Sequence, residues 1–360
     1  MDARQWHRQA STSAGRDPLP PADSETLRAM PAAARARYAG QVRSRLRGQL
    51  LASPLHAGVA ADLSEALRSA ESEPPGARTI LSLSAPFAAG KSSLIKAWAY
   101  GRHREWLGRA ASDDLPERPL PGGGTADWVP VIYVTLMART NARDLYGTIL
   151  AFLGYPTRGP HRDLALNATT ALGVHGVRLI VVDDAHMLTT ASVTGRAALD
   201  ALKQINTELG ELGGTLVLVG AHLTGGGALT DPQIRGRLLE HQLRPYRLSD
   251  TDDIPVWQHF LLGIEEGYRT YLPDMPVRDL AQRFGGKIYG RTQGFLGDVA
   301  TLLAGATEAA LLDRRTALDP GDLSGIRLSQ RATDAEPELA LEGPATRTGQ
   351  PTPNRSRAAS

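Results

Sequence analysis

Short apolar runs, each long enough for one strand, constrain the chain most. Residues 129–136, 177–183 and 214–220 are nearly continuous in Val, Ile and Leu. A strand that apolar needs cover on both faces, which a mostly parallel sheet with helices on either side supplies. Residues 79–84 are a further strand candidate, followed by Gly90-Lys91 and a helical stretch over about 92–104. Helical patterns also fill the intervals at about 142–153, where Leu145, Ile149 and Phe152 share one side, and at about 191–212. This alternation predicts an α/β fold, doubly wound and three-layered. From about residue 250 the strands stop. Phe295, Val299, Leu302, Leu303, Ala306 and Ala310 then fall on one helical face, which predicts a small helical domain after the core.

The remaining chain reads as follows. Residues 1–24 and 331–360 are polar and rich in small residues and proline, and are expected to be disordered. Residues 25–75 read as a helical, arginine-rich segment, 76–248 as the α/β core and 249–330 as the helical domain. The glycine triplets 122–124 and 225–227 read as loops. Cysteine is absent, which excludes disulfides, thiolate zinc sites and cysteine nucleophiles. Formal net charge is only +2, so any nucleic-acid contact has to come from a local basic patch. The N-terminus has no apolar signal-peptide core, and no run of about 18 apolar residues is present. A cytoplasmic protein without a membrane partner is therefore expected.

The segment Ala85-Pro86-Phe87-Ala88-Ala89-Gly90-Lys91-Ser92 joins a strand to a helix. Phosphate binding needs that order. A tight turn brings backbone amides to the anion, a lysine reaches the β/γ-phosphates, and a hydroxyl meets Mg²⁺. Lys91 and Ser92 supply the last two, and Ser93 extends the phosphate-binding set. The usual first glycine is Ala85, so the start of the loop has to use a conformation that a Cβ allows.

Leu179-Ile-Val-Val-Asp183-Asp184 is an apolar strand ending in two acids. Carboxylates at the C-terminal end of a parallel strand lie where ligands bind. Asp183 is assigned to Mg²⁺, together with Ser92, and Asp184 to the attacking water. Asp231-Pro-Gln-Ile-Arg235-Gly-Arg237 follows the fourth strand. An arginine there either reaches a neighbouring subunit's γ-phosphate or belongs to a solvated helix face. His222 is either a γ-phosphate sensor or structural, and His186 either orients the site or packs locally. Arg28, Arg35, Arg37, Arg43, Arg45 and Arg47 suit a basic helix on DNA phosphates equally well as a surface helix packed on the core.

Over about residues 40–315 these motifs, in this order, resemble the TniB/TnsC-type ATPases of bacterial transposons. That group lies within the AAA+ superfamily and is related to MuB. The more specific matches are Val177-Arg-Leu-Ile-Val-Val-Asp-Asp-Ala-His186 and Asp231-Pro-Gln-Ile-Arg-Gly-Arg237. The resemblance implies a P-loop NTPase core with a helical lid, ATP and Mg²⁺ as cofactors, and catalytic roles for Lys91, Asp184 and a trans-acting Arg237, with Arg235 as substitute. It also implies homo-oligomeric rings or filaments on double-stranded DNA, with ATP at subunit interfaces, that present a target to a DDE-type transposase. Ala85, Asp184 in place of glutamate, and Gly297 in place of a lid arginine depart from the pattern. A carboxylate one methylene short of its water predicts slow hydrolysis. Two other readings share the core. One is a signalling or scaffold NTPase without DNA binding; the other is a helicase-loader or replication-initiation ATPase.

Overall fold

The computed structural model describes residues 1–12, 19–108, 114–138, 140–188, 193–223 and 231–341. Its strands in chain order are β1 (Ile80–Ser84), β2 (Glu117–Pro119), β3 (Thr125–Asp127), β4 (Val131–Thr135), β5 (Leu179–Asp183), β6 (Thr215–Gly220) and β7 (Leu238–Gln242). Five of them form one parallel sheet in the order β4-β5-β6-β1-β7. β5 and β6 are buried along their whole length, as their apolar runs require. β7 was not expected. It lies at the sheet edge and its residues are half-buried or exposed, so no apolar run marks it. The glycine triplet at 122–124 turns a small antiparallel hairpin, β2–β3. The triplet at 225–227 lies outside the described residues.

Helices Lys91–Leu107, Ala142–Phe152 and Val193–Glu211 stand where the periodicity predicts. Asn141 and Asp144 cap the second with reciprocal side-chain bonds of 3.0 and 3.1 Å. A further helix, His161–His175, buries Leu164, Ala168 and Leu172 at helical spacing. Helices Ala142–Phe152, His161–His175 and Val193–Glu211 pack on one another, while Lys91–Leu107 meets Ala3–Thr12 and Pro54–Glu71. The result is a three-layer α/β core. A second apolar core lies among helices Asp253–Arg269, Gly285–Thr292 and Leu296–Leu312, which form the lid.

The ends of the chain differ from expectation. Residues 3–12 are a helix whose Trp6 is 0% exposed within the α/β core. A buried tryptophan removes roughly 150–250 Å² from water, enough to order a short polar helix that composition alone marks as tail. Residues 25–75 are not one unit either. Helix Ala32–Arg47 puts Ala39, Val42 and Leu46 into the lid core, whereas Pro54–Glu71 puts Leu63, Ala66 and Leu67 against the sheet. Helix Gln330–Leu341 continues past the expected boundary at 330. There Arg331 bonds Asp298, Gln293 and the Thr292 carbonyl. Residues 342–360, the rest of the expected tail, lie outside the described residues.

Several arginines of the N-terminal segment are engaged within the fold. Arg28 pairs with Asp274, Arg43 with Glu308 at 2.6 Å, and Arg35 is buried and donates to the Met30 carbonyl. Helix Ala32–Arg47 thus packs on the lid, not on the α/β core. Arg37 and Arg47 are exposed.

Candidate active site

β1 ends at Ser84, and the Ala85 amide donates to the Gly220 carbonyl at 3.1 Å, which carries the β1–β6 pairing into the loop. Ala85 is buried and is not among the residues with positive φ. The left-handed turns fall instead on Ala88 (φ 64°) and Gly90 (φ 90°). The alanine at the first motif position therefore meets no backbone conflict; the left-handed demand falls on Ala88, which meets it with a Cβ, and on Gly90. A Cβ on Gly90 would also come within 3.0 Å of His56 Cε1, so the ring of His56 backs the loop. His56 Nε2 lies 3.3 Å from the Ala89 carbonyl, and burial lowers its pKa. The next helix begins at Lys91, and its first described i→i−4 bond runs from Leu94 N to Gly90 O at 2.9 Å. Helix geometry leaves the amides of Lys91, Ser92 and Ser93 without intrahelical acceptors, facing the loop.

β5 delivers the two acids to the same end of the sheet. Asp183 is 3% exposed; its Oδ2 accepts from the Tyr133 hydroxyl and its Oδ1 from the Asp184 amide at 2.9 Å. Burial, and then the charge of Asp183, push the Tyr133 pKa upward, so the hydroxyl stays protonated and donates. The chain then turns left-handed at Asp184 (φ 56°) into the 3-10 turn Ala185–Met187. This turn aims the Asp184 side chain at the loop, where its Oδ1 lies 4.0 Å from Lys91 Nζ. His186 Nδ1 is 3.9 Å from the same oxygen, and the His186 ring meets Phe87 edge-on with centroids 5.9 Å apart. Lys91, Asp183, Asp184 and the phosphate loop are thus brought together.

The donor set suits Mg²⁺ bound with a nucleotide. No group of three or more His, Cys, Asp or Glu that could hold a metal occurs among the described residues. Mg²⁺ commonly uses one or two carboxylates and completes its shell with phosphate oxygens and water. Asp183 would supply the carboxylate and Ser92 a hydroxyl oxygen beside it. The nest of amides around Ala88 and Gly90 suits the phosphates.

Arg235 and Arg237 are not brought together with these groups. Both are exposed, and the Arg237 carbonyl accepts from the Ile80 amide at the start of β1. The loop leaves the other end of β1. At about 3.3 Å per residue, the strand separates Arg237 from it by roughly 15 Å. Asp231 of the same motif is a helix N-cap, accepting from Gln233 N and Ile234 N and pairing with Lys203 at 2.8 Å. His222 is exposed with φ 50° just past β6.

Sequence reasoning passed over Tyr133, Trp6 and His56. Tyr133 carried a signal: it is a hydroxyl inside an otherwise apolar strand. The lid position Gly297 lies against the loop, since a Cβ there would be 3.0 Å from the Ala88 carbonyl oxygen.

Strand order, loop and acids define a P-loop NTPase fold of the AAA+ kind with a helical lid. The family model "Bacterial TniB protein" matches residues 57–248, just over half of the 360, and the chain belongs to that family. Among solved structures it is similar to the ORC2 protein of Aeropyrum pernix, solved as ADPNP-ADP complexes. The TM-score is 0.55 at 17% identity, over 83% of this chain and 74% of that one. A Walker-type ATPase of Pyrococcus abyssi, PABY2304, aligns with a TM-score of 0.41 at 16% identity, over 79% of this chain and 71% of that one. No curated protein matches the chain. No helix among the described residues is long and apolar enough to cross a membrane.

Proposed function

We propose that this protein is an ATP-dependent, DNA-binding regulator of transposition, in which slow ATP hydrolysis serves as an assembly switch. The observation that carries the reading is the 4.0 Å approach of Lys91 to Asp184 across the phosphate loop, in a chain of the TniB family. Residues 85–93 cradle the phosphates, and Lys91 neutralises charge on the β/γ-phosphates. Asp183 and Ser92 would hold Mg²⁺, whose charge would offset that of the phosphate oxygens. Asp184 accepts a hydrogen bond from water and orients it for attack. Arg237, distant from its own loop and exposed, reaches the γ-phosphate held by a neighbouring copy in a ring or filament on duplex DNA. A DDE-type transposase is the partner that such an assembly recruits.

The test is binding to duplex DNA at low salt with ATP, a non-hydrolysable analogue, or ADP. Binding and DNA-length-dependent filaments with ATP or the analogue, but not with ADP, are expected. Lys91→Ala is expected to lose the response together with nucleotide binding. Nucleotide binding without any nucleotide-dependent DNA binding would leave the scaffold NTPase as the better reading.

A further inference from the structure

β4 and β5 pair with Tyr133 opposite Val181 and Thr135 opposite Asp183. Residues two apart on a strand share a face, so Tyr133 and Asp183 sit on one face as diagonal neighbours. That diagonal is roughly 7–8 Å, too far for a short side chain and within reach of a tyrosine. The Tyr133 hydroxyl spans it to Asp183 Oδ2, while the Asp184 amide holds Oδ1 at 2.9 Å. A carboxylate accepting on both oxygens cannot rotate without breaking a bond, and each oxygen keeps lone-pair capacity for a cation or its water.

The tyrosine ring is itself fixed. Trp6 stacks on it with centroids 5.2 Å apart and planes 15° from parallel, and Lys96 Nζ sits 5.2 Å from the ring centroid. Trp6 belongs to the helix Ala3–Thr12, which is held against helix Lys91–Leu107 by hydrogen bonds as well as ring packing. Tyr100 donates to Gln9 Oε1 at 2.8 Å, Arg104 donates to the Ala10 carbonyl at 2.6 Å, and His7 and His103 share a 3.0 Å hydrogen bond. The chain's first helix is therefore joined to the acid through two stacked rings and one hydroxyl.

We infer that Tyr133, held by Trp6, is a positioning residue that sets the Asp183 carboxylate for the divalent cation of the nucleotide site. This rests on the assignment of Asp183 to that cation made above. A tyrosine serving only to fill space would not need its hydroxyl, since phenylalanine fills the same volume.

The full-length chain is titrated with Mg²⁺ while binding of N-methylanthraniloyl-ATP is followed by fluorescence, with a parallel measurement in EDTA. Tyr133→Phe is expected to bind the nucleotide as wild type in EDTA. Its Mg²⁺ midpoint is expected to rise about tenfold, the low end of what loss of an outer-shell partner costs a metal site. Trp6→Ala is expected to shift the midpoint the same way, and Trp6→Phe, which keeps an aromatic stack, to restore much of it. A wild-type midpoint in Tyr133→Phe, with Asp183→Asn shifted, overturns the inference alone. If wild type and Asp183→Asn share one Mg²⁺ dependence, the assignment of Asp183 fails and the inference falls with it.

Discussion

Gly297 of the lid helix lies against Ala88 of the phosphate loop, close enough that a Cβ would come within 3.0 Å of the Ala88 carbonyl oxygen. The lid thus rests on loop backbone at the position where the family pattern anticipates an arginine. A side chain at this position would crowd the contact.

It follows that Gly297→Arg does not restore a missing catalytic group. The new side chain has to push the loop or the lid aside, at a cost of about 1–3 kcal/mol for overpacking. Nucleotide affinity is expected to fall, as measured by calorimetric titration. Wild-type affinity with faster turnover would show that the contact yields freely.

Asp184→Asn keeps the backbone, because asparagine tolerates the left-handed φ of 56° found there. It removes the charge that polarises water. Turnover is expected to drop by about 10²–10⁴, while ATP-loaded assemblies persist longer than those of wild type. Phosphate release and electron microscopy check the two halves. Unchanged turnover would remove Asp184 from its role.

Arg237 acts on a neighbour's nucleotide in this scheme. Arg237→Ala is expected to bind ATP normally and to lose about 10³-fold in turnover, at the lower end for such arginines. Mixing it with Lys91→Ala pairs intact loops with intact arginines and should recover part of the activity. No recovery, in mixtures shown to co-assemble, would argue against a trans role.

His103 is buried beside His7 and Arg104. Burial first, and then those charges, lower its pKa from 6.5 to about 3. The folded chain therefore binds fewer protons than the unfolded one between these values, and stability falls as pH drops below 6.5. The slope approaches 1.4 kcal/mol per pH unit as an upper limit. Thermal melts from pH 7.5 to 4.5 should fall more steeply for wild type than for His103→Leu. Parallel curves would refute the coupling.

The sheet was readable because its inner strands are buried on both faces, and only apolar runs such as Leu179–Val182 satisfy that. The loop and acids were readable because phosphate chemistry demands particular residue types in a particular order. β7 was not, since its side chains are only half-buried or exposed and need no apolar run, whereas β4 at the opposite edge is covered and carries one. Trp6 was hidden by its polar neighbours, because averaged composition conceals a single large anchor. The Tyr133–Asp183 bond depends on strand register, which sequence spacing does not reveal. Ala85 looked like a defect, but it is not among the left-handed residues, which in this loop are Ala88 and Gly90.

The packing of helix Ala32–Arg47 on the lid has a consequence for biogenesis. Its Arg43 meets Glu308, 265 residues later in the chain. During synthesis, Ala39, Val42 and Leu46 lack their partners on the lid until it has left the ribosome, so an early stretch is completed late. Nascent chains that stop within the α/β core carry an apolar stripe on helix Ala32–Arg47 not yet covered by the lid, the kind of surface chaperones bind.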